Sequence, residues 1–177
     1  MGTESHARPV DYYGKPPATS GNLAANQKDV LSTKVIIDAL YESISGPAGQ
    51  KRDWDRMRSL CVAEAYSIRT GKLEDGTVAC KIMSTDEYIQ QMDPWFVTNG
   101  FYEIEVHRVE ERFGNIVHVF STYESRRNQN DPHPFMRGIN SIQLLYDGKR
   151  WWVMNVMWQH ESPEFPLPQK YLGKINH

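Results

Sequence analysis

Five titratable side chains alternate with mostly apolar residues along two neighbouring segments, residues 101–112 and 115–126. Carboxylates and imidazoles that converge bind metal ions or exchange protons as general acids and bases. If both segments are β-strands, residues two apart share a face of the sheet, so this set would lie together. Alternation alone does not make ligands converge, so a solvated outer face or a polar subunit interface is favoured and no metal ligand is predicted. The set comprises Glu103, Glu105, His107, His118 and Glu124.

The residues between them form a second, more apolar set, which we expect to face the interior. It contains Ile104 and Val106 on the first segment and Val117 and Val119 on the second. The register of a half-buried sheet must place one face in the core, and this face is the better candidate. Tyr66, from an earlier hairpin, is expected to lie beside the polar residues of this set. The groups predicted to bind a ligand here are Tyr66, Tyr102, Arg108, Ser121 and Tyr123.

The chemistry open to this inward set is binding rather than proton abstraction. Tyrosine hydroxyls donate hydrogen bonds to a developing oxyanion, and an arginine holds a carboxylate. The set contains no Asp or His to act as a general base. His118 would become a base only if a β-bulge reversed the phase of the second strand, which curved sheets allow. His118 and Tyr123 are therefore the catalytic candidates, and the sequence leaves open whether the protein is an enzyme.

Polar side chains also interrupt two later apolar segments, residues 136–146 and 151–159. A buried polar group needs a partner, so each is either satisfied within the protein or aimed at a ligand. Asn140 and Asn155 are predicted to contact the ligand. They share a face if the intervening turn has an even number of residues, whereas Ser141 and Asn155 share one if the number is odd.

The last of these segments is apolar on both faces, since Trp151 and Val153 alternate with Trp152 and Met154. Strands that are apolar on both faces are covered on both sides. Helices cover only one side of such a sheet, so the other side needs a different partner. We therefore predict a homodimer that forms through the outer sheet face.

Helix signals precede these strands. Asn26 is a good N-cap for a first helix, and a short second helix begins at Asp53. A hairpin turns at Asp75-Gly76, and the capping box Ser84–Glu87 begins a third helix. Three helices followed by four long antiparallel strands predict an α+β fold, with the helices on one face of a strongly curved sheet.

This order of elements resembles the nuclear-transport-factor-2-like superfamily. The local sequences that carry the resemblance are FYEIEVHR at 101–108, FGNIVHVFSTYE at 113–124, RGINSIQLL at 137–145 and GKRWWVMNVMWQ at 148–159. The resemblance implies a cystatin-like cone, in which a curved antiparallel sheet wraps around three N-terminal helices and leaves a pocket open at one end. The superfamily's ketosteroid isomerases, dehydratases and polyketide cyclases commonly place an Asp or His base there. Other members are transport or oligomerisation modules, and members commonly dimerise through the convex face.

The resemblance covers residues 27–160, which we predict to form a single domain. Residues 1–26, rich in Pro and Gly, are predicted to be a flexible tail that includes an apolar patch at 10–13, and residues 161–177 a C-terminal extension. Cys61 and Cys80 are predicted to be buried thiols. The sequence contains no run of about 18 apolar residues, so no membrane partner is predicted. No secretory signal is seen, so the default expectation is a cytoplasmic protein. A net charge of -2 argues against a nucleic-acid partner.

The predicted function is binding of a small hydrophobic molecule in an apolar, aromatic-lined pocket. If the protein is an enzyme, the resemblance implies cofactor-free isomerase, dehydratase or cyclase chemistry, and no cofactor is predicted. The alternative is a non-catalytic dimerisation or interaction module, whose own side chains would fill the cone. Arg126, Arg127 and Arg137 bracket a loop that could attract an anionic ligand at the cone mouth, although an ordinary solvated loop is favoured.

Overall fold

Three α-helices and six strands make up the described part of the chain. The computed structural model describes residues 14–173. The α-helices are α1 (Thr33–Ile44), α2 (Trp54–Leu60) and α3 (Thr85–Thr98), with 3-10 turns at Ser20–Asn22, Gln27–Val30 and Gln169–Tyr171. The strands are β1 (Cys61–Lys72), β2 (Val78–Ser84), β3 (Tyr102–Phe113), β4 (Ile116–Arg126), β5 (Met136–Tyr146) and β6 (Trp151–His160). Within these residues, no helix has both the length and the apolar character needed to cross a membrane.

Side-chain caps fix where the helices begin. The predicted capping box is confirmed at α3, where the Ser84 backbone N–H donates to Glu87 Oε2 over 2.7 Å and the Glu87 N–H donates to Ser84 Oγ over 3.2 Å. Asn26 caps only a 3-10 turn, and the α-helix itself begins after Ser32, whose hydroxyl accepts from the Val35 N–H. The predicted first helix therefore exists but begins later than expected.

All six strands form one curved, open sheet in the order β2-β1-β6-β5-β4-β3. The neighbours β1 and β6 are parallel, and every other neighbouring pair is antiparallel. The bounds of β3 to β6 lie within one residue of the predicted segments. The predicted α+β class is confirmed, and the three helices lie against one face of the sheet.

The core lies between the helices and the concave face of the sheet. Ile36, Ile37, Leu60, Val119 and Ile142 are completely buried there. Burying one such side chain stabilises the fold by about 1.5–3 kcal/mol, so these contacts hold α1 and α2 against the central strands. Both cysteines are free. Cys61 is buried as predicted, whereas Cys80 is exposed on the edge strand β2.

A β-bulge in β3 reverses the predicted orientation of its first half. Glu105 pairs with Tyr123 but His107 pairs with Thr122, so Val106 is an extra residue with no partner in β4. Such a residue reverses the inside–outside alternation beyond it. As a result Glu103 and Glu105, not Ile104 and Val106, share the inner face with Tyr123 and Arg108.

Accessibility confirms this reversal. Ile104 is 49% exposed and Val106 is 39% exposed, whereas Glu103 is only 9% exposed. The prediction that Tyr102, Ile104 and Val106 point inward is therefore wrong. The prediction for β4 is correct, because Val117, Val119, Ser121 and Tyr123 are all buried.

A second bulge shifts the last strand. Asn155 pairs with Gln143 and Val153 pairs with Leu144, which leaves Met154 as the extra residue. The last pair, Tyr146 and Trp151, encloses a turn of four residues, which is an even number. An even turn alone would place Asn140 and Asn155 on the same face, but the bulge at Met154 moves Asn155 to the opposite face. Asn155 consequently shares the outer face with Ser141 rather than the inner face with Asn140.

The segments that flank the predicted domain contact the sheet. Near the N-terminus of the described chain, the Ala63 N–H donates to the Ala18 carbonyl over 2.8 Å. At the other end, Thr122 Oγ1 donates to the Tyr171 carbonyl over 2.6 Å, and the Tyr171 ring lies 5.3 Å from the ring of Phe120. Part of the outer face of β4 is thus covered by the chain's own C-terminal extension. The apolar patch at residues 10–13 lies outside the described residues.

Candidate active site

A cavity of about 500 Å³ lies between the concave face of the sheet and helices α1 and α3. Its volume falls in the range that accommodates a ring-containing small molecule. Most of its wall is apolar or aromatic. The aromatic residues of the wall are Tyr41, Tyr88, Trp95, Phe96, Phe101, Tyr123, Phe135 and Trp158.

Glu103 is the one acidic side chain on the cavity wall formed by the described residues. The bulge in β3 turns it inward, and its backbone N–H donates to Ser45 Oγ over 3.0 Å at the end of α1. Its carboxylate accepts a hydrogen bond from Ser125 Oγ at 2.9 Å and from Asn140 Nδ2 at 3.3 Å. The Glu103 side chain is therefore held by β4 and β5, and its backbone is held by Ser45, the residue after α1.

Burial raises the pKa of Glu103 to about 7, and the hydrogen bonds from Ser125 and Asn140 only partly oppose this effect. Desolvation disfavours the charged form of a carboxyl, while donors that bind the carboxylate favour it. A carboxyl whose pKa lies near neutrality is suited to accept and return a proton in the same reaction cycle. Glu103 therefore has the environment of a general base.

A chain of buried hydrogen bonds extends from Glu103 along the cavity wall and then into the protein behind it. The second Nδ2 proton of Asn140 goes to the hydroxyl of Tyr41 at 2.9 Å, and that hydroxyl lies 2.7 Å from Ser121 Oγ. Ser121 in turn donates to Glu105 Oε1 over 2.6 Å. Because Asn140 donates to Tyr41 and Ser121 donates to Glu105, the Tyr41 proton is directed to Ser121. This chain fixes the Asn140 amide with its NH2 group towards Glu103.

The outer end of this chain is an ion pair between Glu105 and Arg108. The Arg108 Nε donates to Glu105 Oε2 over 2.8 Å, and both side chains are largely buried. Burial raises the pKa of Tyr41 far above its ordinary value, so its phenol stays neutral within the chain. Arg108 is thus engaged inside the protein and does not reach the cavity wall.

A tyrosine and a histidine form a second polar group on the cavity wall. The Tyr123 hydroxyl lies 2.6 Å from His160 Nδ1. Burial lowers the pKa of His160, and the nearby positive charge of Arg69 lowers it further, so the imidazole is neutral at pH 7. With Tyr123 as the donor to Nδ1, the imidazole carries its proton on Nε2 and can donate to a ligand.

Gly138 makes this contact possible. A Cβ atom at this position would lie 2.3 Å from the Gln159 carbonyl oxygen and 2.4 Å from the Tyr123 hydroxyl. Both distances are far below van der Waals contact, so only a residue without a side chain lets Tyr123 cross β5 here.

Tyr88 supplies a further phenol on the wall, from the first turns of α3. Its ring packs edge-on against Trp54 and Trp158, with centroid distances of 6.4 and 6.0 Å. Burial raises the pKa of Tyr88 above its ordinary value, and the negative charge of Glu103 raises it further. Tyr88 is therefore a neutral hydrogen-bond donor in the electrostatic field of Glu103.

The structure brings only some of the predicted ligand-binding residues to the cavity. Tyr123 and Asn140 line it, and Ser121 lies directly behind Tyr41 in the hydrogen-bonded chain. Tyr66 is 52% exposed and, with its β6 partner Asn155, faces outward.

Three further predicted residues lie away from the cavity wall. The Asn155 amide donates to the Gln143 side chain over 2.7 Å, and Tyr102 is paired with Arg126 on the face opposite Glu103. His118 remains on the outer face of β4, 2.9 Å from Ser141 Oγ, because the bulge lies in β3 and not in β4. The condition that would make His118 a base is therefore not met.

The acidic and imidazole set discussed as a possible metal site is divided between the two faces. Glu103 and Glu105 point inward, whereas His107, His118 and Glu124 lie on the outer side. Across residues 14–173, no three His, Cys, Asp or Glu side chains are grouped in a way that could hold a metal ion.

Tyr88 and His160 are functional candidates that sequence reasoning missed, and Glu103 was named only in a set assigned to the outer face. Strict alternation placed Glu103 outside, and nothing in the residue types around Val106 marks it as a bulge. His160 lies one residue beyond the predicted end of the last strand. A buried Glu opposite Ser125 would have been found only if the register had been known.

Comparison with solved structures supports the fold. A protein of unknown function with a cystatin-like fold from Nostoc punctiforme PCC 73102 superposes with a TM-score of 0.56 at 12% identity, covering 78% of this chain and 94% of that chain. A protein provisionally named a ketosteroid isomerase, from Parabacteroides distasonis ATCC 8503, superposes with a TM-score of 0.51 at 11% identity, covering 78% and 99%. No protein-family model and no curated protein sequence matches the chain.

These similarities show the fold and, at such low identity, nothing finer. The chain has the cystatin-like fold that the sequence resemblance implied. Many unrelated activities share this architecture, so function must be argued from the cavity itself.

Proposed function

We propose that the protein binds an apolar small molecule in the cavity and catalyses proton transfer on it without a cofactor, with Glu103 as the general base. The observation that carries this proposal is a buried carboxyl with a pKa of about 7 on the wall of an aromatic cavity. General bases work best when their pKa lies near the operating pH. The cavity also disagrees with the alternative of a non-catalytic module, which predicts a cone filled by its own side chains.

The arrangement suits substrates with an acidic C–H bond next to a carbonyl group. When that bond breaks, the proton passes to the Glu103 carboxylate and the electron pair forms an enolate. The neutral donors on the wall, Tyr88 and the Nε2–H of His160, are available to stabilise the enolate oxygen. Return of the proton to a different carbon gives isomerisation. Loss of a β-hydroxyl group, protonated by one of these donors as it leaves, gives dehydration.

The superfamily resemblance supports the same reaction class. The protein from Parabacteroides distasonis with a similar fold is itself provisionally named a ketosteroid isomerase. The aromatic wall favours a ring-containing substrate, because aromatic side chains stack against flat apolar surfaces. Isomerase, dehydratase and cyclase reactions all begin with the proton transfer proposed for Glu103.

Proton exchange on a simple bicyclic ketone tests this proposal. In D2O, the protein should accelerate exchange of the α-protons of 2-tetralone, followed by proton NMR. Glu103→Gln keeps the shape of the side chain but removes the base, so the catalysed rate should fall at least about 100-fold. Glu111→Gln removes an exposed carboxylate on the outer side of β3 and should leave the rate unchanged. Equal rates for the wild-type protein and Glu103→Gln would overturn the proposal.

We further propose that the outer sheet face forms a homodimer. The outer side of β3 and the adjoining turn expose the apolar side chains Val109, Phe113 and Ile116, with Phe113 84% exposed and Glu111 between Val109 and Phe113 on the same face. Exposed apolar groups with polar residues beside them are typical of protein interfaces. Sedimentation velocity should give the mass of a dimer for the wild-type protein and of a monomer for Val109→Lys. A wild-type monomer at micromolar concentration would contradict this proposal.

A further inference from the structure

Two cationic side chains face each other across strands at the mouth of the cavity. Arg69 of β1 is directly opposite Lys81 of β2 in the antiparallel register, and both line the cavity while remaining exposed to solvent. Directly opposed residues have Cβ atoms about 4.5–5.5 Å apart, and two like charges at that distance destabilise the sheet. This pair therefore works against folding.

The register shows that both side chains project over the cavity. On its other side, Arg69 is paired with Trp158 of β6, which belongs to the cavity wall. Two residues earlier in β1, the buried Ser67 is opposite the buried Met83 on the same face. The two cations thus continue the inner face of the sheet at the point where it reaches solvent.

Neither cation forms a salt bridge with an acidic side chain among residues 14–173, although the charge of Lys81 helps to lower the pKa of Glu87. The one side-chain contact of Lys81 is to Gln91 Oε1 of α3, an uncharged acceptor. Two arginines of the loop after β4 differ, because Arg126 pairs with Glu124 and Arg137 pairs with Glu161. The third, Arg127, lies over the rings of Trp95 and Phe135. Among the described residues, cations on or beside the cavity wall without a salt-bridge partner therefore include Arg69 and Lys81 as well as Arg127.

Negative and positive charge on the cavity wall therefore lie at opposite ends of the cavity. Glu103 provides the carboxylate at the buried end, and Arg69 and Lys81 provide the fixed positive charge at the open end. The charge of Arg69 also reaches the interior, where it lowers the pKa of His160. A ligand that complements this wall has an apolar body and one anionic end that stays near the solvent.

We propose that the ligand of this cavity is an amphipathic acid, whose ring body fills the aromatic chamber and whose oxyanion is held by Arg69 and Lys81. This inference rests on the proposed function in that it places a ligand in the cavity. An arginine presents two parallel N–H donors to a carboxylate or sulfonate, and a lysine adds a mobile point charge. The bound oxyanion would also remove the repulsion between the two cations.

A matched pair of fluorescent probes tests the anionic end separately from the apolar body. 8-Anilinonaphthalene-1-sulfonate carries a sulfonate, and N-phenyl-1-naphthylamine has the same ring body without it. In the double variant Arg69→Gln/Lys81→Gln, the dissociation constant of the sulfonate probe should rise by about tenfold or more, because two charge-assisted contacts are lost. The affinity for the neutral probe should stay the same.

The control is Lys28→Gln/Lys149→Gln, which removes two exposed lysines from other parts of the surface and changes the net charge by the same amount. It should leave both affinities unchanged. Thermal unfolding checks that the test variant is folded. Since the substitutions remove a repulsive pair, the midpoint of its thermal unfolding should be no lower than that of the wild-type protein.

The outcomes separate this inference from the proposed function. If the neutral probe binds and the double variant does not weaken the sulfonate probe, or if the control weakens it equally, the anion site is wrong while the apolar cavity stands. If the double variant weakens both probes equally, Arg69 and Lys81 shape the cavity and do not bind an anion. If the wild-type protein binds neither probe, both the inference and the ligand-binding function are overturned.

Discussion

The two faces of β3 and β4 carry similar residue types in entirely different environments. On the inner face Glu103 is buried, accepts hydrogen bonds from Ser125 and Asn140, and has a pKa of about 7. On the outer face His118 is partly exposed and contacts Ser141. The difference is decided by one extra residue, Val106, which reverses the alternation of β3. Backbone register rather than residue type therefore determines which of these groups could act as a base.

Deleting Val106 should have the largest effect, because it removes the origin of this difference. Without the bulge, either Glu103 and Glu105 or Arg108 must move to the other face, which leaves a buried charge without its partner. Breaking a buried ion pair in this way costs about 3–5 kcal/mol. The free energy of unfolding in urea should fall by that amount.

Val106→Ala is the matched control for the deletion. Val106 is 39% exposed, so the substitution keeps the bulge and removes few contacts. The substitution should change the free energy of unfolding by no more than about 0.5 kcal/mol. If the deletion were as mild as the substitution, the bulge would not be what holds Glu103 inside.

The dependence of stability on pH should differ between wild-type protein and Glu103→Gln. The folded pKa of Glu103 is about 7, above the ordinary value of 4.5, so between these values the folded state binds more protons than the unfolded state. The contribution of Glu103 to the free energy of unfolding is therefore fully present below about pH 4.5. It is lost as the pH rises through about 7, and the loss is about 3 kcal/mol.

Urea titrations at several pH values measure this difference. Subtracting the Glu103→Gln curve removes the contributions of all other groups, including carboxyls such as Asp147 and Glu161, whose pKa values are lowered and which act in the opposite direction. A difference that stays constant from pH 4 to 8 would show that Glu103 ionises in the folded protein as it does in the unfolded chain.

The contact between Tyr123 and His160 can be broken from β5. Gly138→Ala places a Cβ atom within 2.4 Å of the Tyr123 hydroxyl and of the Gln159 carbonyl oxygen, so the neighbouring atoms must move. Overpacking of this kind costs about 1–3 kcal/mol. Gly71→Ala in β1 is the control, because no atom lies within 4 Å of its added Cβ. Equal thermal midpoints for the two variants would contradict the close packing around Tyr123.

The smallest effect is expected on the outer face. His118→Asn removes a partly exposed imidazole that makes one hydrogen bond, to Ser141. Its effect on stability should be within about 0.5 kcal/mol, and proton exchange on 2-tetralone should be unchanged. A large loss of exchange activity in His118→Asn would move the candidate base to the outer face.

Local signals were sufficient to predict most of the fold. The capping box at Ser84 and Glu87 depends on residues close in sequence, and the turns between β3 and β4 and between β5 and β6 depend on adjacent glycines. These interactions are fixed by short segments, so the sequence specifies them directly. The parallel pairing of β1 with β6 was not predicted, because it joins segments far apart in the chain.

The candidate site was harder to predict because it depends on register. Tyr123 was predicted to face inward and lines the cavity, since β4 keeps the expected phase. Asn140 also lines the cavity, but its face had been left open by the sequence. Glu103 was assigned to the wrong face and the face of Asn155 was left open, because a single unpaired residue in β3 or β6 reverses every residue beyond it. A bulge bends its strand and increases the local twist of the sheet, and the amino-acid types at Val106 and Met154 do not mark it.

The most direct test of this account is the ionisation of Glu103 itself, followed by carbon-13 NMR of protein labelled at the glutamate side-chain carboxyl. The Glu103→Gln spectrum assigns the resonance. We predict that this carboxyl titrates with a pKa of about 7, well above the ordinary value of a glutamate side chain. A pKa of about 4.5 or lower for Glu103 would contradict the assignment of a poised general base in the cavity.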